Sequence, residues 1–259
     1  MDGPGDTPPR SPTPSLNRIA GNTTYQKKGF CMRQGVRNIH IPIITLILIL
    51  LLCAPVLYAI EPVDAELVER GDEFLFSSEY EKAAEKYREA LEHLDSPVVL
   101  LRYAFCLGET GRYDESLALF EEAVDSGVPF RDTPMAVAGE KIWDTEHWLE
   151  RLGNPEEAIY HYTDALGEFP RSPTITYALA WAYNSLYNRE KAISYFKETI
   201  KNDPLYRDVY ASLGSILYEE GGEPHLALHY LNISLLLNPT GSVAESLREK
   251  RNDILKQLQ

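Results

Sequence analysis

From residue 80 onward, apolar positions recur on one template: a small residue, a large apolar residue four positions later, and another small residue three after that. The series reads Ala83/Tyr87/Ala90, Ser116/Phe120/Ala123, Ala158/Tyr162/Ala165, Ala192/Phe196/Thr199 and Ala227/Leu231/Ser234. Steps of four and three place all three members of a set on one helix face. The large members lie 33, 42, 34 and 35 residues apart. A period of that length accommodates two helices and two turns, so the pattern predicts a stack of helical hairpins, helix A then helix B in each unit. The apolar stripe of one hairpin cannot be buried alone and must pack on the next.

Polar and turn-forming positions divide this stretch further. The first unit predicts helix A over residues 65–77, with Gly71 at the close-contact position, and helix B over 80–94. The second has Ala104 and Leu107 on helix A, a turn at Glu109-Thr110-Gly111, and helix B over 113–124. Residues 125–140, with Gly127, Pro129 and Pro134, form a long connection that accounts for the spacing of 42, and helix A of the third unit is predicted over 141–152. Its helix B, residues 155–169, starts on Pro155, where a missing backbone donor costs nothing. Residues 240–259 form one charged, amphipathic helix.

A small-x-x-x-large core, a period near 34 and a proline about eight residues beyond (Pro170, Pro204, Pro239) resemble the tetratricopeptide repeat. Leu179, Ala180 and Tyr183 reproduce the family's Leu-small-x-x-Tyr run, whereas Pro97 comes two residues late. The resemblance implies an all-α, right-handed α-solenoid of about five helix-turn-helix repeats, near 63–97, 98–130, 139–170, 173–204 and 207–239. Residues 240–259 would be the capping helix. In this family helix A lines the concave face, which here implies a groove of Phe105, Trp143, His147, Glu150, Tyr177, Trp181, Asn184, Ser215 and Tyr218. Trp143 and Trp181 are the expected anchors, because large aromatics in a groove are preferred contacts for a partner. Asn184 offers a donor and an acceptor to a bound peptide's backbone. No Lys or Arg falls among these positions, which argues against the family's carboxylate-gripping mode and for an extended or helical peptide held by apolar contacts.

The chain also has a distinct beginning. Residues 1–38 are proline-rich and then basic, with Lys27, Lys28, Arg33 and Arg37 leading into a segment, 39–60, whose last twenty residues carry no formal charge. Twenty helical residues span roughly 30 Å, the thickness of a hydrocarbon core. Basic residues before the segment and Glu61, Asp64 and Glu66 after it predict an inside amino terminus and an exported repeat domain. The segment is either an uncleaved transmembrane anchor or a secretory signal removed after Ala59, with Met32 as an alternative start.

Of 25 basic and 39 acidic residues, six basic and two acidic fall within 1–59, leaving 19 against 37 in the remainder. Such an excess opposes nucleic acid, which needs clustered Lys and Arg, and favours a basic protein partner. Cys106 is the one cysteine of the predicted array and reads as a small buried hydrophobe. No phosphate-cradling glycine loop, Gly-x-Ser-x-Gly elbow or paired Cys and His ligand pattern is present. His225 and His229, four apart, lack a third metal ligand and read as surface or packing residues. The expectation is a non-catalytic interaction or assembly scaffold without cofactor, metal or small-molecule substrate. The alternative from another class is an accessory subunit that recruits an envelope enzyme of surface-polymer synthesis or secretion.

Overall fold

Proline and capping residues start the helices of this chain, and left-handed residues end several of them. The computed structural model describes residues 62–132 and 153–259, which form ten helices. In chain order these are α1 (Pro62–Phe76), α2 (Tyr80–Leu91), α3 (Pro97–Glu109), α4 (Tyr113–Asp125), α5 (Pro155–Glu168), α6 (Pro173–Ser185), α7 (Arg189–Asn202), α8 (Asp208–Glu220), α9 (Pro224–Leu237) and α10 (Ala244–Gln257). Pairs α1–α2, α3–α4, α6–α7 and α8–α9 are hairpins; α5 packs on α6, and α10 packs on α8 and α9. The result is an all-helical solenoid. The predicted membrane segment at 41–60 lies outside the described residues, among which no helix is long and apolar enough to cross a membrane.

Proline occupies the first turn of α3, α5, α6 and α9, where its preset φ suits the helix. Ser172 Oγ accepts from the Ile175 N–H at 3.2 Å, and Asn154 Oδ1 accepts from the N–H groups of Glu156 and Glu157, satisfying donors that the first helical turn leaves unpaired. At three of the turns the chain reverses through one residue with positive φ: Ser78 at 59°, Gly111 at 81° and Tyr187 at 58°. The two closing bonds of a Schellman turn surround each one. For Tyr187 its own N–H donates to Asn184 O at 2.9 Å, and the Asn188 N–H donates to Tyr183 O at 3.0 Å.

Tyr187 is the costly member of this set. A side chain in the left-handed region costs about 1–2 kcal/mol, and Tyr187 is 82% exposed, so it recovers little by packing. Tyr187→Gly is expected to stabilise the fold by roughly 1 kcal/mol after the entropic cost of glycine, read as a higher denaturation midpoint. A lower midpoint would show that the ring holds the turn.

Helices within a hairpin touch at small residues. A Cβ built on Gly71 would meet the Tyr87 ring at 2.6 Å, and one on Gly214 would meet the Leu231 backbone nitrogen at 2.9 Å. Those contacts explain the template: the small residue admits the neighbouring helix and the large one fills the space beside it. Tyr87, Phe120, Tyr162, Phe196 and Leu231 are all buried. One hydrophobic cluster runs continuously from Leu75 to Ile254, and a smaller one joins Ala158 and Tyr162 of α5 to Ile175, Leu179 and Ala182 of α6.

One set of contacts departs from a plain stack, in which each hairpin meets only its neighbours. The last hairpin, α8–α9, packs on the second, α3–α4. The Phe120 ring meets Tyr210 of α8 edge-on at 5.3 Å, and Gly108 of α3 faces His229 of α9. Beside them the Arg131 N–H donates to Leu205 O at 2.8 Å and the Arg207 N–H to Arg131 O at 2.9 Å, a backbone clasp between the segments that follow α4 and precede α8.

Candidate partner-binding pocket

The helical step of four places Tyr177 and Trp181 on one face of α6, and the fold stacks aromatic rings around them. Tyr177 meets Trp181 edge-on at 6.3 Å, Tyr206 at 4.9 Å and Phe196 at 5.6 Å, and Trp181 meets Phe196 at 5.7 Å. Phe196 and Tyr206 are buried, so they form a rigid floor. Trp181 stands on that floor with 40% of its surface open to solvent. The two rings line a pocket of about 430 Å³ whose other walls come from Asp132, Arg207, Asp208, Ala211 and Val243, among others.

The rim is polar and acidic. Arg207 is paired with Asp132. Burial, and next the Asp132 carboxylate, push the Asp208 carboxyl above its usual range, while Arg207 acts in the opposite sense. Tyr177 and Ser212 hydroxyls lie 3.4 Å apart, and Ser212 donates to Asp208 O at 3.1 Å. An aromatic platform beside carboxylates suits a side chain with an apolar stem and a cationic head. Two larger hollows lie elsewhere, one of about 600 Å³ along α1 and one of about 560 Å³ beside α2, α3 and α4. Neither is lined by a tryptophan.

The predicted groove residues separate into distinct settings. Tyr177 and Trp181 come together. Asn184 is already engaged: its Oδ1 accepts from Arg189 Nη1 at 2.5 Å, and Arg189 is paired with Glu219 at 2.8 Å. Tyr218 donates to Asp253 Oδ2 at 2.8 Å, a bond that raises the pKa of its hydroxyl and ties α8 to α10. Ser215, one turn earlier on α8, is half-buried. Phe105 is corrected: it is 2% exposed and packs edge-on to Tyr80 at 5.7 Å, inside the core and out of a partner's reach. Trp143, His147 and Glu150 lie outside the described residues.

Sequence reasoning missed the polar groups between the second and last hairpins. The Glu109 side chain is 4% exposed; Oε1 accepts from the Tyr230 hydroxyl at 2.6 Å and Oε2 from Lys197 Nζ at 2.7 Å. Ser116 Oγ donates to Ala104 O at 2.6 Å and lies 3.2 Å from His229 Nε2. Because the hydroxyl proton is committed to Ala104, the proton of the second contact sits on Nε2, and His229 is the donor. Burial pushes this imidazole down to about 4. Burial also raises the Cys106 thiol to about 12, which keeps it protonated and inert. Among the described residues no three His, Cys, Asp or Glu side chains converge as a metal ion requires.

The family model of the tetratricopeptide repeat matches residues 68–131 and 149–204. No curated protein matches the chain. Similar solved structures include the TPR2AB domain of yeast Sti1 in complex with pHSP90, at 14% identity, covering 74% of this chain and 98% of that one with a TM-score of 0.40. A thermophilic tetratricopeptide protein of Thermus thermophilus is 19% identical, covering 74% and 98% with a TM-score of 0.36. YrrB, a protein of the same repeat type with an unusual peptide-binding site, is 18% identical, covering 71% and 90% with a TM-score of 0.38.

Proposed function

We propose that this tetratricopeptide-repeat chain is a non-catalytic scaffold that holds a protein partner at the Trp181 pocket, through a basic side chain of that partner. Repeats of this type in general serve as protein-binding scaffolds without catalysis. The observation that carries the assignment to this pocket is a tryptophan left 40% exposed on a floor of buried rings. Solvation opposes leaving so large an aromatic open, and a partner's side chain laid against it would recover that surface. The rim carries Asp132 and Asp208 against one cation, Arg207, and within a repeat region of strong net negative charge that excess favours lysine or arginine as the visiting group. Residues 41–60 would tether the scaffold to a membrane, or carry it across, with the repeats on the outer side.

The test is crosslinking capture from intact membranes with the tagged full-length chain and its Trp181→Ala variant side by side. A partner held by the parent and lost by the variant is the expected result. The substitution should cost about 2–3 kcal/mol of stability, because most of Trp181 packs on Tyr177 and Phe196 while 40% of it is already solvated, so capture is compared under conditions where both chains are folded. Capture of the same partner by both chains would reject the pocket.

A further inference from the structure

We infer, on the premise that the Trp181 pocket is the partner site, that Asn238 is its backbone-reading group: the carboxamide pairs with the N–H and C=O of an extended peptide segment whose basic side chain lies on Trp181. Asn238 lines the pocket together with Trp181 and Asp208. It follows the last residue of α9 and precedes Pro239, at φ −146° and ψ 73°. Asp203 holds the corresponding place after α7 and before Pro204, at φ −143° and ψ 87°. There the protein itself uses the side chain: Asp203 Oδ1 accepts from the Leu205 N–H at 3.2 Å and from Arg131 Nη2 at 2.5 Å. The Asn238 carboxamide, in the same backbone setting, has no hydrogen-bond partner among the described residues.

Gly241 fixes where that free group lies. A Cβ at 241 would come within 2.4 Å of Asn238 Nδ2 and 2.8 Å of Oδ1, so the carboxamide is laid flat against the glycine. The φ of Gly241 is not positive, and its backbone conformation does not demand glycine. The close approach of Asn238 is what excludes a side chain there. Other neutral polar groups of the pocket are engaged or solvated: Ser212 donates to Asp208 O and lies beside the Tyr177 hydroxyl, and Ser242 is exposed. Asn184, for which the family register predicts this role, is held by Arg189. A visiting cation alone uses only acceptors, which Asp132 and Asp208 already supply. The donor half of Asn238 finds a use when the visitor also brings a carbonyl, and one donor beside one acceptor complements extended backbone.

Two probes of equal charge separate backbone from side chain. Propylguanidinium carries the arginine side chain alone, and the capped tripeptide acetyl-Ala-Arg-Ala-amide adds the backbone around it. In the full-length chain, NMR titrations followed at the backbone amides of Asp208 and Ala211 should show the tripeptide binding about fivefold or more tighter than propylguanidinium. Asn238→Ala removes no hydrogen bond within the described residues, so the chain should fold, lose the tripeptide's advantage and bind propylguanidinium unchanged. Gly241→Ala, which displaces the carboxamide without deleting it, should do the same, whereas Trp181→Ala should weaken both probes. Equal affinities in the parent, or an advantage that survives either substitution, would overturn the assignment to Asn238 and leave the Trp181 pocket in place. Failure of both probes to bind the parent would reject the pocket itself, and the role of Asn238 with it.

Discussion

Glu109→Ala is expected to lower the unfolding free energy by about 3–4 kcal/mol, the largest single effect anticipated for a side chain outside the apolar core. The alanine itself is a better helix former, so the loss comes from what remains behind. Lys197, whose side chain is 20% exposed, loses the carboxylate it is paired with, and the Tyr230 hydroxyl is left buried without that acceptor. Removing one member of a buried ion pair typically costs about 3–5 kcal/mol, and partial exposure of the lysine brings this case to the low end. Urea denaturation of parent and variant measures the difference. Replacing the cation as well, in Glu109→Ala with Lys197→Met, should recover a large part of it. A cost below about 1 kcal/mol in the single variant would mean that water enters the junction freely and solvates both orphaned groups.

Acid should weaken the fold through His229. The imidazole takes a proton near 6.5 in the unfolded chain and only at about 4 in the folded one. Its folded pKa is depressed, so its contribution is fully present above the unfolded value and is lost as pH falls from about 6.5 toward 4. Over that window the unfolded state binds more protons than the folded state, and stability drops by about 3 kcal/mol. The diagnostic is a comparison. His229→Gln keeps a donor for Ser116 without the titration, and its denaturation midpoint should fall much less between about pH 7 and pH 4.5 than the parent's. Parallel decline of the two would assign the acid sensitivity elsewhere.

The repeats are legible in the sequence because close helix packing forces the residue types. Gly71 and Gly214 must be small because a ring or a backbone would lie within 3 Å of any Cβ there, and that constraint writes itself into the spacing. Turn positions are only partly legible. Gly111 announces its positive φ, whereas Ser78 and Tyr187 adopt the same conformation with ordinary side chains, held there by the flanking backbone bonds. Tyr177 and Trp181 could be paired from their helical step. The opposite walls of their pocket could not, since Asp132, Asn238 and Val243 come from connections between helices.

Phe105 shows where periodic reasoning fails. By register it corresponds to Trp181, one residue after a small contact residue, Ala104 or Ala180. The two differ because Tyr80 lies against Phe105 and because α7 and the last hairpin lie over the end of its helix, a contact no period encodes. Glu109 was equally invisible. A glutamate at a helix end ordinarily faces solvent, and only the arrival of Lys197 and Tyr230 makes it a buried acceptor.

The distance in sequence between Glu109 and Tyr230, 121 residues, also sets an order of events. Helical hairpins close through local contacts and form early, while a pairing this remote waits for the entropy of a long loop to be overcome. During synthesis the second hairpin leaves the ribosome on the order of ten seconds before α9 does. Through that interval Phe120, Gly108 and the Glu109 carboxylate lack the cover that the last hairpin later provides. The nascent chain therefore displays an apolar, singly charged surface until residues 224–237 emerge to cover it.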